Sequence, residues 1–137
     1  METITVETTV RVSIEKAWEL YTVPEHIKNW SFAADDWYAP EASNDLRVGG
    51  RFNTLMSARD KSKSFDFGGT YTQIIPLQAI EFTIDDGREA KVSFSETEDA
   101  TSVTVTFEPE NENPVDLQKS GWQAILDNFK KYAESQT

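Results

Sequence analysis

No cysteine occurs among the 137 residues, and histidine occurs once, at His26. Without thiols there is no disulfide framework and no thiolate zinc site, and one imidazole is a poor start for a metal centre. Cysteine-free chains suit a reducing compartment, so a cytoplasmic location is expected. Positive charge is also scarce. Lys and Arg total 13 against 24 Asp and Glu, a formal net charge of −11. Such a surface repels phosphate backbones and anionic headgroups, so neither nucleic acid nor a membrane is an expected partner. No run approaches the ~18 apolar residues of a membrane span. The opening METITVETTVRV alternates, without the basic start and apolar block of a signal peptide. There is no G-x-S-x-G nucleophile setting, no Gly-rich phosphate loop and no marked carboxylate couple. No cofactor, metal or catalytic residue is therefore expected. No linker or repeat divides the chain, and its length suits one domain over 1–137.

What is present is periodicity. Ile4, Val6, Thr8, Val10 and Val12 alternate with polar residues over 3–12, the pattern of a half-buried strand. Ser13 offers an N-cap to a helix carrying Ala17, Trp18 and Tyr21. Thr22 and Glu25 have capping-box spacing for a second short helix, with Pro24 in its first turn and an end near Trp30. An irregular stretch then leads to a strand near 37–44. Gly49-Gly50, between Arg47 and Arg51, reads as a two-residue hairpin turn. Strands follow near 51–59, 64–75, 78–84, 89–96 and 101–108, an antiparallel meander with a bulge conceivable at Gly68-Gly69. From about 115 to 134 the period changes to helical. Trp122, Leu126 and Phe129 form an apolar face, and Leu117, Gly121 and Ile125 run along a row beside it.

An antiparallel sheet with one apolar face needs a cover, and only the last helix is long enough. The sheet is expected to curl around it, with the two short helices closing the gap after the first strand. Alternation then nominates a lining for the space between them. Phe52, Thr54 and Met56 share one strand face; Phe65, Phe67 and Tyr71 share another; Phe82 and Phe94 follow on further strands. Trp122, Ile125, Leu126 and Phe129 come from the helix, and Trp30 and Trp37 guard an end. Two readings stand side by side: these aromatics fill a core, or they line an apolar pocket. An empty pocket of ~300 Å³ would forfeit ~7 kcal/mol, so a narrow cavity is expected. Arg47 and Arg51 are either a solvated hairpin end paired with acids or an anchor for an anionic ligand. His26 reads as exposed.

The segments TVPEHIKNW, DLRVGGRF, GTYTQIIPLQAIEFT, TSVTVTFEP and GWQAILDNFKKY, in this order, resemble the Bet v 1-like (START-like) helix-grip superfamily. Within it, the chain is similar to the domain related to the Hsp90 ATPase activator C-terminal domain. The resemblance runs from about residue 8 to 134. It implies an α+β fold: a curved antiparallel sheet of about six to seven strands around a long C-terminal helix. For function it implies three alternatives. The first is a non-catalytic domain, monomer or homodimer, holding a small apolar or amphipathic molecule between sheet and helix. The second is a protein-interaction module for Hsp90, although 137 residues leave no room for the N-terminal domain central to ATPase stimulation in the eukaryotic activator. The third is a polyketide cyclase-like enzyme, for which Tyr71, Thr54 and Arg51 would have to converge in the pocket.

Overall fold

The computed structural model describes residues 3–136. The alternating N-terminus forms β1 (Ile4–Val10), whose Ile4, Val6 and Val10 are buried while Thr5, Glu7 and Thr9 face out. Ser13 caps α1 (Ile14–Thr22), its hydroxyl accepting from the Lys16 backbone N–H. Thr22 does not start the next helix. It is the last residue of α1, and its hydroxyl donates to Trp18 O at 2.7 Å, so the capping box is not made. Val23 is the N-cap of α2 (Pro24–Ile27), and Pro24 sits where a helix has no use for its missing N–H. Turns then carry the chain past Trp30.

Seven strands follow one another in space as β1-β7-β6-β5-β4-β3-β2, all neighbours antiparallel. They are β2 (Trp37–Asn44), β3 (Arg51–Ala58), β4 (Ser64–Ile75), β5 (Ala79–Ile84), β6 (Glu89–Thr97) and β7 (Ala100–Phe107), with β1 added beside β7. The β2–β3 connection differs from a two-residue hairpin. It spans Asp45 to Gly50, with Asp45 N–H on Arg51 O and Gly50 N–H on Arg47 O. Only Gly49 has positive φ, at 83°. Gly50 is needed for another reason, since a Cβ there would lie 2.1 Å from Asp45 O. The loop folds back on itself more tightly than a hairpin turn, and the glycines divide the two demands.

Gly68 and Gly69 pair in regular register with Asn53 and Phe52, so no bulge occurs there. Register slips instead between Tyr71 and Gln73, and in β2 between Tyr38 and Glu41, around Pro40. Both slips bend the sheet, which is the usual effect of an extra residue in one strand.

The final period-3.6 segment is α3 (Val115–Ser135). It lies along β1, on the concave side of the sheet. Phe129 and Ala133 are fully buried, and Trp122 stacks flat on Phe107 of β7, ring centres 3.9 Å apart at 10°. Polar side chains of the helix reach the outer rim of β1. Gln123 donates to Glu7 O at 3.1 Å, Lys130 to Thr9 O at 2.7 Å, and Glu134 accepts from the Arg11 backbone N–H at 3.0 Å. Asn128 donates to Phe32 O at 2.6 Å, tying the 31–36 loop to the helix. Trp30 Nε1 donates to Leu20 O, so its buried indole has its polar atom satisfied. No helix among the described residues is long and apolar enough to cross a membrane.

Gly121 is the weak point of α3. A Cβ there would meet nothing within 4 Å. Gly121→Ala should therefore gain the helix propensity difference alone, raising stability by ~0.5–1 kcal/mol in denaturant unfolding.

Candidate functional site

Helix and sheet touch along β1 and part over the opposite half of the sheet. Between them lies a cavity of about 500 Å³. Its floor is the concave parity of the meander: Phe52, Thr54 and Met56 of β3, Phe67 and Tyr71 of β4, Ile80 and Phe82 of β5, Val92 of β6 and Val105 of β7. Its roof is one stripe of α3, from Leu117, Gln118 and Gly121 to Trp122, Ile125 and Leu126. Tyr21, Thr22, Ile27 and Trp30 close one end, and residues 31–34 with Trp37 and Phe65 form a rim.

The rings explain why the space stays open. They pack on one another along the walls. Phe52 sits 5.0–5.7 Å from Phe67, Tyr71 and Phe82, and Trp122 lies on Phe107 with Phe67 edge-on at 5.8 Å. Gly69 contributes, because a Cβ there would press on the Phe52 ring at 3.0 Å. The cavity is accordingly wider than the narrow one expected from the aromatic content.

Besides Thr54 in the floor and Ser31 at the rim, polar groups enter at two places. Near the start of α3, Gln118 is bonded to Glu110 and Asn113 backbone groups, and Arg88 is paired with Asp86 at 2.8 Å and donates to Glu108 O. At the closed end, the Tyr71 hydroxyl donates to Asn44 Oδ1 at 2.5 Å, and Asn44 Nδ2 donates to Thr22 O at 2.6 Å. Burial holds the Tyr71 phenol well above its ordinary value, against the opposing pull of the Asn44 bond. Burial does the same to Tyr21, and the neighbouring Tyr71 adds to it. Both phenols are therefore protonated donors throughout the neutral range.

These shifts carry a pH dependence. Unfolded phenols ionise near ~10, whereas Tyr21 and Tyr71 resist ionisation when folded. Their contribution is complete below pH ~10 and is lost as pH rises from there towards their folded values. Alkaline titration should show Tyr38 ionising early, because the Lys61 ammonium bonded to its oxygen lowers it. The phenolate absorbance of Tyr21 and Tyr71 should appear only together with loss of near-UV circular dichroism.

The structure brings together Trp30, Trp37, Phe52, Thr54, Met56, Phe65, Phe67, Tyr71, Phe82, Trp122, Ile125 and Leu126 around one space. It does not bring Phe94 or Phe129 there. Both point inward, but α1 intervenes: Phe94 packs edge-on against Trp18 and Tyr21, and Phe129 against Tyr21 and Trp30. Arg47 and Arg51 are on the outside. Arg47 pairs with Asp45 at 2.8 Å; Arg51 grips Asp85 with two bonds, at 3.0 and 2.8 Å, and touches Thr70. Arg51 alternates in phase with Asn53, opposite to Phe52, so the three-residue convergence with Tyr71 and Thr54 does not form. His26 is half-buried, its Nδ1 2.7 Å from the Tyr132 hydroxyl.

Sequence reasoning missed Tyr21, Ile80, Val92, Val105 and Gly121. Ile80 and Val92 share parity with Phe82 and Phe94, and Gly121 shares the helical row of Ile125, so a signal existed. Tyr21 had only its place on the apolar side of α1.

The sequence model of the family described as "Activator of Hsp90 ATPase homolog 1-like protein" matches residues 11–134. Two solved structures share both fold and substantial sequence. An AHSA1-like protein from Aeromonas hydrophila is 39% identical, with a TM-score of 0.93 over 98% of this chain and 94% of its own. A protein from Cytophaga hutchinsonii is 49% identical, with a TM-score of 0.83 over 98% and 93%. A Chromobacterium violaceum protein at 19% identity and TM-score 0.86, covering 98% and 99%, shares the fold. No curated protein matches.

Proposed function

The chain belongs to the Activator of Hsp90 ATPase homolog 1-like family, and from that premise we propose that it is a non-catalytic cytoplasmic carrier. It holds a small apolar or amphipathic molecule between the sheet and α3. The observation that carries this reading is the cavity of about 500 Å³. Ligand pockets begin at ~300 Å³. At ~24 cal/mol per Å³, a dry void of this size would correspond to ~12 kcal/mol, as much as a whole domain's ~5–15 kcal/mol. The space therefore needs an occupant. Water finds few partners against Phe, Met, Ile, Val and Trp side chains, so an apolar ligand displaces it favourably.

A cyclase would need a base facing the substrate. The phenols that face the cavity are held protonated, Thr54 is no base, Arg51 is outside with Asp85, and the one carboxylate in the lining among the described residues, Glu110, is bonded by the Asn113 amide near the start of α3. The geometry supports holding a molecule better than transforming one.

Native mass spectrometry of the protein purified from its own host tests the carrier. The expected result is a retained small molecule that leaves under mild activation and whose loss lowers the melting temperature. A mass equal to that of the bare chain, with no stabilisation by any apolar compound, would refute it. Co-precipitation of Hsp90 by a chain with no retained small molecule would favour the interaction module instead.

A further inference from the structure

The closed end of the cavity contains more polar chemistry than its apolar walls require. No hydrogen-bond partner of the Tyr21 hydroxyl exists among the described residues, although this is a long side chain ringed by Trp30, Phe94 and Phe129. Among those residues no fully buried side-chain oxygen or nitrogen lacks a partner. An unpartnered phenol must then reach open space, and the space that Tyr21 lines is the cavity. Tyr71 differs. Its proton is committed to Asn44 Oδ1, and Asn44 is fixed in turn by its own bond to Thr22 O. What Tyr71 has left is an acceptor lone pair. One neighbouring phenol thus offers a donor and the other an acceptor.

A carboxylate accepts only, and it would meet the Tyr71 lone pair without a cation to compensate. The cationic side chain in the lining is Arg88, which Asp86 and Glu108 O already hold beside the β5–β6 turn. A hydroxyl accepts from one phenol and donates to the other. Resting on the carrier reading above, we infer that the Tyr21–Tyr71 pair is a subsite for an uncharged hydroxyl group, so that the carried molecule is an apolar alcohol or phenol inserted hydroxyl-first. The pair sets orientation and selects among ligands; the walls supply affinity. Burial keeps both phenols protonated, which the arrangement requires.

Three probes of one shape test the subsite: naphthalene, 2-naphthol and 2-naphthoate, titrated by calorimetry into the intact chain stripped of any bound molecule. The hydroxyl should offset its own desolvation through two bonds, so 2-naphthol should bind roughly five- to tenfold more tightly than naphthalene. The carboxylate should bind more weakly than either. Tyr21→Phe keeps the ring and its contacts; it should bring 2-naphthol down to the level of naphthalene and leave naphthalene unchanged. Equal binding of naphthalene and 2-naphthol with no response to Tyr21→Phe would overturn the subsite and leave the carrier standing. Tighter binding of the carboxylate would also overturn it. Failure of all three probes to bind would overturn the subsite, and together with a bare-chain mass in the native spectrum it would remove the carrier as well.

Discussion

Phe129→Ala should cost ~3–5 kcal/mol of unfolding free energy, with the melting temperature falling by roughly 10–20 °C for a domain of this size. The ring is fully buried on α3 and meets Tyr21 and Trp30 edge-on at 5.1 and 5.0 Å. It is the point where α3, α1 and the turn after α2 share a contact. Truncation leaves a hole that cannot collapse, because Trp30 is anchored through Nε1 to Leu20 O and Tyr21 is bounded by Phe94. Close-packed interiors relax only partly around such a loss. Chemical denaturation of the variant, compared with Phe129→Leu, measures the effect. A loss under ~1 kcal/mol would mean that α3 is not seated as described.

Gly121→Trp should weaken ligand uptake strongly while leaving the fold as stable as before or more so. Position 121 faces the cavity between Gln118 and Trp122, and a side chain added there meets open space rather than a wall. An indole would occupy the volume an apolar ligand needs, and a residue other than glycine favours the helix. Loss of function and gain of stability from one substitution is the pattern of sites kept open against the interest of the fold. The expected result is at least a tenfold weaker Kd for 2-naphthol, ~1.4 kcal/mol, with an unchanged or higher melting temperature. Normal binding would show that the ligand lies elsewhere.

Most of the architecture was legible because alternation and helical spacing are direct images of burial. β1, the meander and α3 appear near their expected limits for that reason. What escaped were features set by contacts between distant segments. The six-residue connection at Asp45–Gly50 looks locally like a hairpin turn, and only the approach of Asp45 O to Gly50 shows otherwise. The slip after Tyr71 leaves no mark in composition, since Thr72 is an ordinary strand residue. Thr22 and Glu25 had the right spacing for a capping box, but Trp18 O offered the hydroxyl a nearer partner. For the cavity, parity found the floor and helical rows found the roof. Phe94 and Phe129 were assigned to it because parity tells inside from outside but not the first layer from the second. Tyr21 interposes itself between them and the open volume.

The side chains of Gln123 and Lys130 take two main-chain carbonyls at the free border of β1, Glu7 O and Thr9 O, and Glu134 takes the Arg11 N–H just beyond it. At the opposite border, β2 carries Pro40 at its irregularity and α2 packs against it. Both margins of the seven-stranded layer are thus partly obstructed to a further strand. Association of this protein with itself or with another chain is steered away from sheet extension and toward its helices and loops. A sheet whose strands are rich in Thr and Val gains from this a barrier to the edge-to-edge stacking that precedes fibril growth.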